Sequence, residues 1–193
     1  APQWTNIAAR ILSCSYKRKL AHTRQARGIS SLYEKIRTLT DLGLYGPYIL
    51  EHYSRADIDL AETYIVTERD ELFDYAGLDL ILRRYVIRSF EGTPLESPQE
   101  MFLGVALHLA MLETNERMEW VKRFYDMLSS LEVSMATPTL ANARRPSHLP
   151  SSCFIATVPD SLEGIHRSLD NFAQVSKYGG GMGMERGQVW AGG

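Results

Sequence analysis

Cysteine is nearly missing from this sequence: Cys14 and Cys153 are the two among 193 residues. They stand far apart with no second cysteine near either, which excludes a disulfide scaffold and a Cys-x-x-Cys metal site. Long apolar runs are missing too. The most apolar stretch, Met101 to Leu112, is interrupted by His108 and falls short of the roughly 18–20 residues that span a bilayer. Neither charge is in surplus, with 21 Lys and Arg against 23 Asp and Glu, so nucleic acid, whose binding draws on many cation–phosphate contacts, is not an expected partner. Repeats and low-complexity tracts are absent, and 45% hydrophobic with 23% charged residues excludes collagen-like and disordered chains. The opening Ala1-Pro2-Gln3-Trp4 has neither the basic nor the apolar region of a secretory signal, so the expectation is a soluble, cytoplasmic protein without a membrane partner.

What is present is mostly helical patterning with caps. Trp4, Ile7, Ala8, Ile11 and Leu12 recur at helical spacing, and Lys17-Arg18-Lys19 suits a helix C-terminus electrostatically. Ser31 with Glu34 reads as a capping box for a helix that stops at Gly43. Amphipathic patterns cover Asp57 to Tyr64 and Asp70 to Tyr85, the second with Phe73, Ala76, Leu80 and Ile81 on one face. Between Tyr85 and Ser97 the pattern alternates around Glu91-Gly92-Thr93-Pro94, which predicts a short hairpin. Ser97-Pro98-Gln99-Glu100 is the strongest local signal, with Ser as N-cap, Pro at the first helical position and Glu three residues on. A further helix runs from about Asn115 to Leu128 with Lys122-Arg123 on its wet side.

The character changes after Val133. Ala136-Thr137-Pro138-Thr139 and Asn142 to Pro150 are predicted irregular, because proline removes a donor and restricts its predecessor. Ser151 to Val158 reads as a buried strand ending at Pro159. Asp160 is expected to cap a helix, with Glu163 three residues on and a stripe of Leu162, Ile165, Leu169, Phe172 and Val175; Gly179 to Met184 then reads as a glycine loop. Strand, helix and glycine loop begin a parallel β/α arrangement whose strand needs further neighbours. The expected organisation is a helical domain over 1–133 with a hairpin near 85–97, then a connecting loop and the incomplete start of a barrel over 134–193. The chain is read as a fragment of a longer enzyme, or as a helical domain with the first unit of a barrel attached.

Few residues carry chemistry. A strand cysteine is ordinarily a small hydrophobe, yet Cys153 follows the hydroxyls of Ser151 and Ser152. No His and Asp are arranged to make it a hydrolytic nucleophile, so redox use is the sharper reading. The glycine loop lets a ligand approach backbone closely but lacks the Lys-Ser/Thr of a phosphate loop and the third glycine of a dinucleotide fingerprint; a plain tight turn explains it equally. Asp160 is first a cap, although a carboxylate there also suits a ribose hydroxyl. His22, His52, His108, His148 and His166 have no partners at metal-ligand spacing, and no metal site is expected. Cys14 reads as packing or exposure without a role. Arg144-Arg145 reads as a solvated face, with added positive potential for phosphates as the alternative.

Taken together, Val121-Lys122-Arg123-Phe124-Tyr125-Asp126, Ala136-Thr137-Pro138, Ser151-Ser152-Cys153, Asp160-Ser161-Leu162 and Gly180-Gly181-Met182-Gly183-Met184 resemble the large (alpha, catalytic) subunit of class I ribonucleotide reductase. The resemblance implies a mostly α fragment: a helical N-terminal domain followed by the first βα unit of a ten-stranded α/β barrel. It implies radical-based reduction of ribonucleoside diphosphates to deoxyribonucleoside diphosphates for DNA synthesis. By the same resemblance Cys153 is one of two thiols that reduce the ribose 2′-carbon, Thr137 contacts the substrate diphosphate, Ser152 lies beside the ribose and Gly181 approaches the bound nucleotide. Asp160, Ser161 and Leu162 begin the specificity site, where a dNTP or ATP effector binds at a homodimer interface. No cofactor is bound directly; a small metal-containing beta subunit supplies the radical, and thioredoxin or glutaredoxin re-reduces the disulfide. The radical cysteine and the second redox cysteine are not among these residues, no ATP-cone is recognisable, and Glu185, Arg186 and Trp190 differ from the family pattern. Two other readings remain: a helical interaction or regulatory module with a flexible glycine-rich tail, and an NTP-dependent transferase, which the missing phosphate-loop lysine disfavours.

Overall fold

The computed structural model describes residues 2–147 and 149–190, with side chains from 4 onward. Ala1, His148 and residues 191–193 lie outside the described residues. Helix α1 (Pro2–Arg27) runs on past the Lys17-Arg18-Lys19 run to Arg27. Its buried face is Ala9, Tyr16 and Leu20, whereas Trp4, Ile7 and Ile11 of the expected stripe are exposed. Helix α2 (Leu32–Asp41) is capped by Ser31. Only half of the expected box forms there, since the Glu34 carboxylate accepts from the Ser30 N–H at 2.8 Å. Gly43 follows at φ +69°, the left-handed conformation that stops a helix cheaply only at glycine. Short α3 (Tyr48–His52) leads to α4 (Arg55–Glu62), where Ser54 and Asp57 make a complete box.

The single helix expected over Asp70 to Tyr85 is three pieces: a 3₁₀ turn (Thr67–Leu72), α5 (Tyr75–Leu80) and a π turn (Ile81–Tyr85). Asp74 breaks it by turning to extended backbone and accepting the Gly77 N–H at 2.7 Å, the local competition that makes Asp a cap former. Leu78, Ile81, Leu82 and Tyr85 are buried while Leu80 is exposed. The expected hairpin is one antiparallel bridge, Arg88 to Pro94, flanked by the Leu95 N–H bonding to Ile87 O at 3.1 Å.

Ser97 caps α6 (Pro98–Ala110) with a complete box and Pro98 in the first turn. This helix is buried on nearly every side and forms the centre of the core, with α7 (Arg117–Ser129) packed along it. The stretch expected to be irregular contains α8 (Thr137–Asn142). Pro138 sits in its first turn, where the missing N–H would have had no intrahelical partner.

The C-terminal part is a βαβ unit: β1 (Cys153–Thr157), α9 (Leu162–Lys177) and β2 (Gly181–Glu185), the strands parallel with Cys153 opposite Gly181 and Thr157 opposite Glu185. The expected glycine loop is therefore a strand, entered through Gly179 at φ +84°, and the flexible-tail reading fails for it. Gly180 must stay small: a Cβ there would stand 2.7 Å from Val175 Cγ1 and 2.9 Å from the Phe154 ring. Among the described residues no helix is long and apolar enough to cross a membrane.

Candidate active site

Strand β1 is not fully buried, as its apolar run suggested. Burial alternates along both strands, with Phe154, Ala156, Met182 and Met184 half-buried and Cys153, Ile155, Thr157, Gly181, Gly183 and Glu185 exposed. Phe154 and Val175 converge on Gly180, so the half-buried face is the one packed by α9, and the thiol occupies the opposite face. Period-two alternation produces this separation from sequence alone.

Three expected site residues meet at one end of the ribbon. The Ser152 hydroxyl donates toward Cys153 Sγ at 3.6 Å, Gly181 stands opposite Cys153, and the Gly181 N–H donates to Ser152 O at 2.7 Å. A Cβ at Gly181 would meet nothing nearer than Ser152 O at 3.5 Å, so the fold does not require glycine there. Glycine weakens a strand, and the exposed, Cβ-free backbone at Gly181 leaves open space on that face of the ribbon.

Asp160, Ser161 and Leu162 gather at the other end of β1 and are exposed. The expected cap is corrected here: Ser161, not Asp160, is the N-cap of α9, accepting the Gly164 N–H at 3.0 Å. Both residue types cap well, but α9 begins at Leu162, which places Ser161 at the cap and leaves Asp160 one residue outside. Glu163 pairs instead with Arg167.

Thr137 opens α8 and is exposed. Helix α8 reaches the ribbon through Thr139, whose hydroxyl donates to Pro150 O at 2.9 Å, and through Asn142, whose amide donates to Leu149 O and Tyr178 O at 3.3 Å. On its other side the Thr137 Oγ1 lies 3.1 Å from the Tyr85 hydroxyl. Nothing in the sequence singles out Tyr85, because the two residues are far apart and a tyrosine in an apolar pattern reads as core.

Behind this contact lies a buried charge cluster. Arg144, expected on a solvated face, is fully buried; it donates through Nε to both Glu96 carboxylate oxygens at 3.0 Å and through Nη2 to Tyr85 O at 2.7 Å. Lys35 adds an Nζ contact to Glu96 at 3.3 Å. Burial alone would raise the Glu96 pKa, but Arg144 and Lys35 outweigh it and hold the carboxyl at about 2. Arg144 is thereby committed to the core and is not a phosphate ligand. Gly104 makes room for it, since a Cβ there would stand 2.6 Å from Arg144 Cδ. Among the described residues no group of three or more His, Cys, Asp or Glu could hold a metal ion. Cys14 is exposed on α1, beside a groove that Arg10 and Lys17 also line.

Two family models match consecutive parts of the chain: the ribonucleotide reductase all-alpha domain over residues 71–148 and the ribonucleotide reductase barrel domain over residues 151–193. The chain belongs to the ribonucleotide reductase large-subunit family. Its particular relatives are alpha subunits. It is 61% identical over 191 residues to the ribonucleoside-diphosphate reductase subunit alpha of Treponema pallidum, covering 99% of this chain and 23% of that one. It is 35% identical over 192 residues to the subunit alpha of Synechocystis (98% and 24%), and 29% identical over 193 residues to the reductase 1 subunit alpha of Escherichia coli (99% and 25%). The chain thus spans about a quarter of the length of the curated relatives it matches.

Proposed function

We propose that this chain forms part of the catalytic subunit of a ribonucleoside-diphosphate reductase, and that Cys153 is one of the two thiols that reduce the ribose. The supporting observation is the thiol's position: exposed on the ribbon face away from α9, touched by the Ser152 hydroxyl, and opposite a glycine that the fold does not require. Replacing the 2′-hydroxyl by hydrogen takes two electrons and two protons. Two thiols supply both; the oxygen leaves as water and a disulfide forms. Cys14, out on α1, is not the partner thiol, which belongs to a part of the enzyme beyond these residues. Thioredoxin or glutaredoxin then re-reduces the pair by thiol–disulfide exchange.

In this reading Ser152 lies beside the ribose, Thr137 holds the diphosphate, and the Gly181 backbone borders the nucleotide. The radical that opens the reaction comes from a metal-containing beta subunit, and this chain binds no cofactor of its own. Asp160, Ser161 and Leu162 contribute to a dNTP or ATP effector site at a homodimer interface, which makes the enzyme allosteric. The enzyme works in the cytoplasm and serves DNA replication. Residues 1–133 form the helical domain, and 134–193 connect to and begin the barrel.

The test is Cys153→Ser in the full-length subunit. Multiple turnover with a dithiol protein as reductant should vanish while nucleoside diphosphate binding stays within about twofold, because a hydroxyl cannot form the disulfide. Full multiple turnover in this variant would overturn the assignment.

A further inference from the structure

We propose that Tyr85 is the positioning residue for Thr137: its phenol donates to Thr137 Oγ1 and so reserves the threonine's single O–H for an anionic oxygen of the substrate diphosphate. This rests on the reading of Thr137 as a diphosphate contact. The two oxygens lie 3.1 Å apart. A threonine hydroxyl has one proton to give and lone pairs to accept with. If Thr137 gave its proton to Tyr85, only lone pairs would face a phosphate oxygen, and the two would repel. With Tyr85 as donor the proton faces outward, and the chain of two hydrogen bonds polarises in one direction.

Tyr85 is suited to fix a geometry because it is itself fixed. It is buried and closes the π turn Ile81–Tyr85, a rare form that recurs at functional sites. The Val86 N–H closes that turn onto Ile81 O at 3.2 Å. The Tyr85 carbonyl accepts from Arg144 at 2.7 Å, and Arg144 is locked to Glu96. Thr137, by contrast, is exposed at the start of a six-residue helix, where nothing on its own element holds the hydroxyl. The helical core therefore reaches the proposed substrate contact through one phenol.

The experiment compares Tyr85→Phe, Thr137→Val, the double variant and Thr137→Ser in the full-length enzyme. It reads KM, kcat, equilibrium binding of a nucleoside diphosphate and the thermal midpoint. Tyr85→Phe should raise KM and weaken binding about 2- to 10-fold, the worth of one hydrogen bond, with kcat within about twofold and an unchanged thermal midpoint. The double variant should be no worse than Thr137→Val, since the phenol acts only through that hydroxyl. Thr137→Ser should bind like the parent and remain sensitive to Tyr85→Phe. An unchanged KM in Tyr85→Phe alongside a raised KM in Thr137→Val would overturn the proposal and leave the diphosphate reading standing, as would effects that multiply in the double variant. An unchanged KM in Thr137→Val would remove the diphosphate reading itself, and this proposal with it. If Tyr85→Phe lowers the thermal midpoint, the double variant decides by whether Thr137→Val still weakens binding in that background; a full further loss overturns the proposal.

Discussion

Replacing Glu96 by glutamine should cost the protein about 3 kcal/mol at neutral pH. The carboxylate is fully buried and takes hydrogen bonds from Arg144, Lys35 and the Ile87 N–H. It keeps its charge down to about pH 2 against an ordinary 4.5, and each pH unit of that difference is worth about 1.4 kcal/mol, which yields about 3 kcal/mol. An independent route agrees: removing one partner of a buried ion pair costs about 3–5 kcal/mol, because the other charge is left uncompensated. Glutamine keeps the volume and one acceptor, so a cavity does not add to the loss. Because the folded pKa lies below the unfolded one, the contribution is complete above pH 4.5 and disappears as pH falls toward 2. Urea denaturation followed by circular dichroism should therefore show the variant about 3 kcal/mol less stable at pH 7 and the gap narrowing at pH 3. A loss under about 1 kcal/mol at pH 7 with an unchanged m-value, or a gap that does not narrow in acid, would refute the reasoning.

Gly104→Ala should destabilise by about 1–3 kcal/mol, since its Cβ would meet Arg144 Cδ and the Tyr45 hydroxyl at 2.6 Å in a close-packed core; an unchanged melting temperature would contradict it. Ser161→Ala should remove the α9 cap at about 0.5–2 kcal/mol, whereas Asp160→Ala should leave stability within about 0.5 kcal/mol and alter only effector-dependent substrate choice; equal melting of the two variants would return the cap to Asp160. Gly181→Ala, with its nearest neighbour 3.5 Å away, should fold as well as the parent or gain up to about 1 kcal/mol, while nucleotide binding by the full-length subunit weakens. Unimpaired binding would mean that nothing approaches that strand.

Local signals are legible in the sequence because their physics is local. Ser97-Pro98-Gln99-Glu100 produces a complete box, since cap, proline and acid act within one turn. Ser161 does not stand out as the cap because a second competent residue sits beside it. Strand β2 is illegible as a strand because alternate positions are glycine, a poor strand former, although Met182 and Met184 carry the period of two. The burial of Arg144 depends on Glu96, 48 positions away, and no window of sequence holds both. Of the candidate site, residue types and order are legible; the pairing of Cys153 with Gly181 and the contact between Thr137 and Tyr85 arise only from tertiary assembly.

The short approach to β1 acts as a ruler. Thr139 grips Pro150 O and the Gly181 N–H grips Ser152 O, so Ser151 alone spans the gap between two anchors. Surface connections ordinarily absorb insertions, but here parity decides which way sulfur faces. One added residue would turn Phe154's ring outward and Cys153 against α9. Two would restore the side and carry the thiol about 7 Å along the strand, away from its place opposite Gly181.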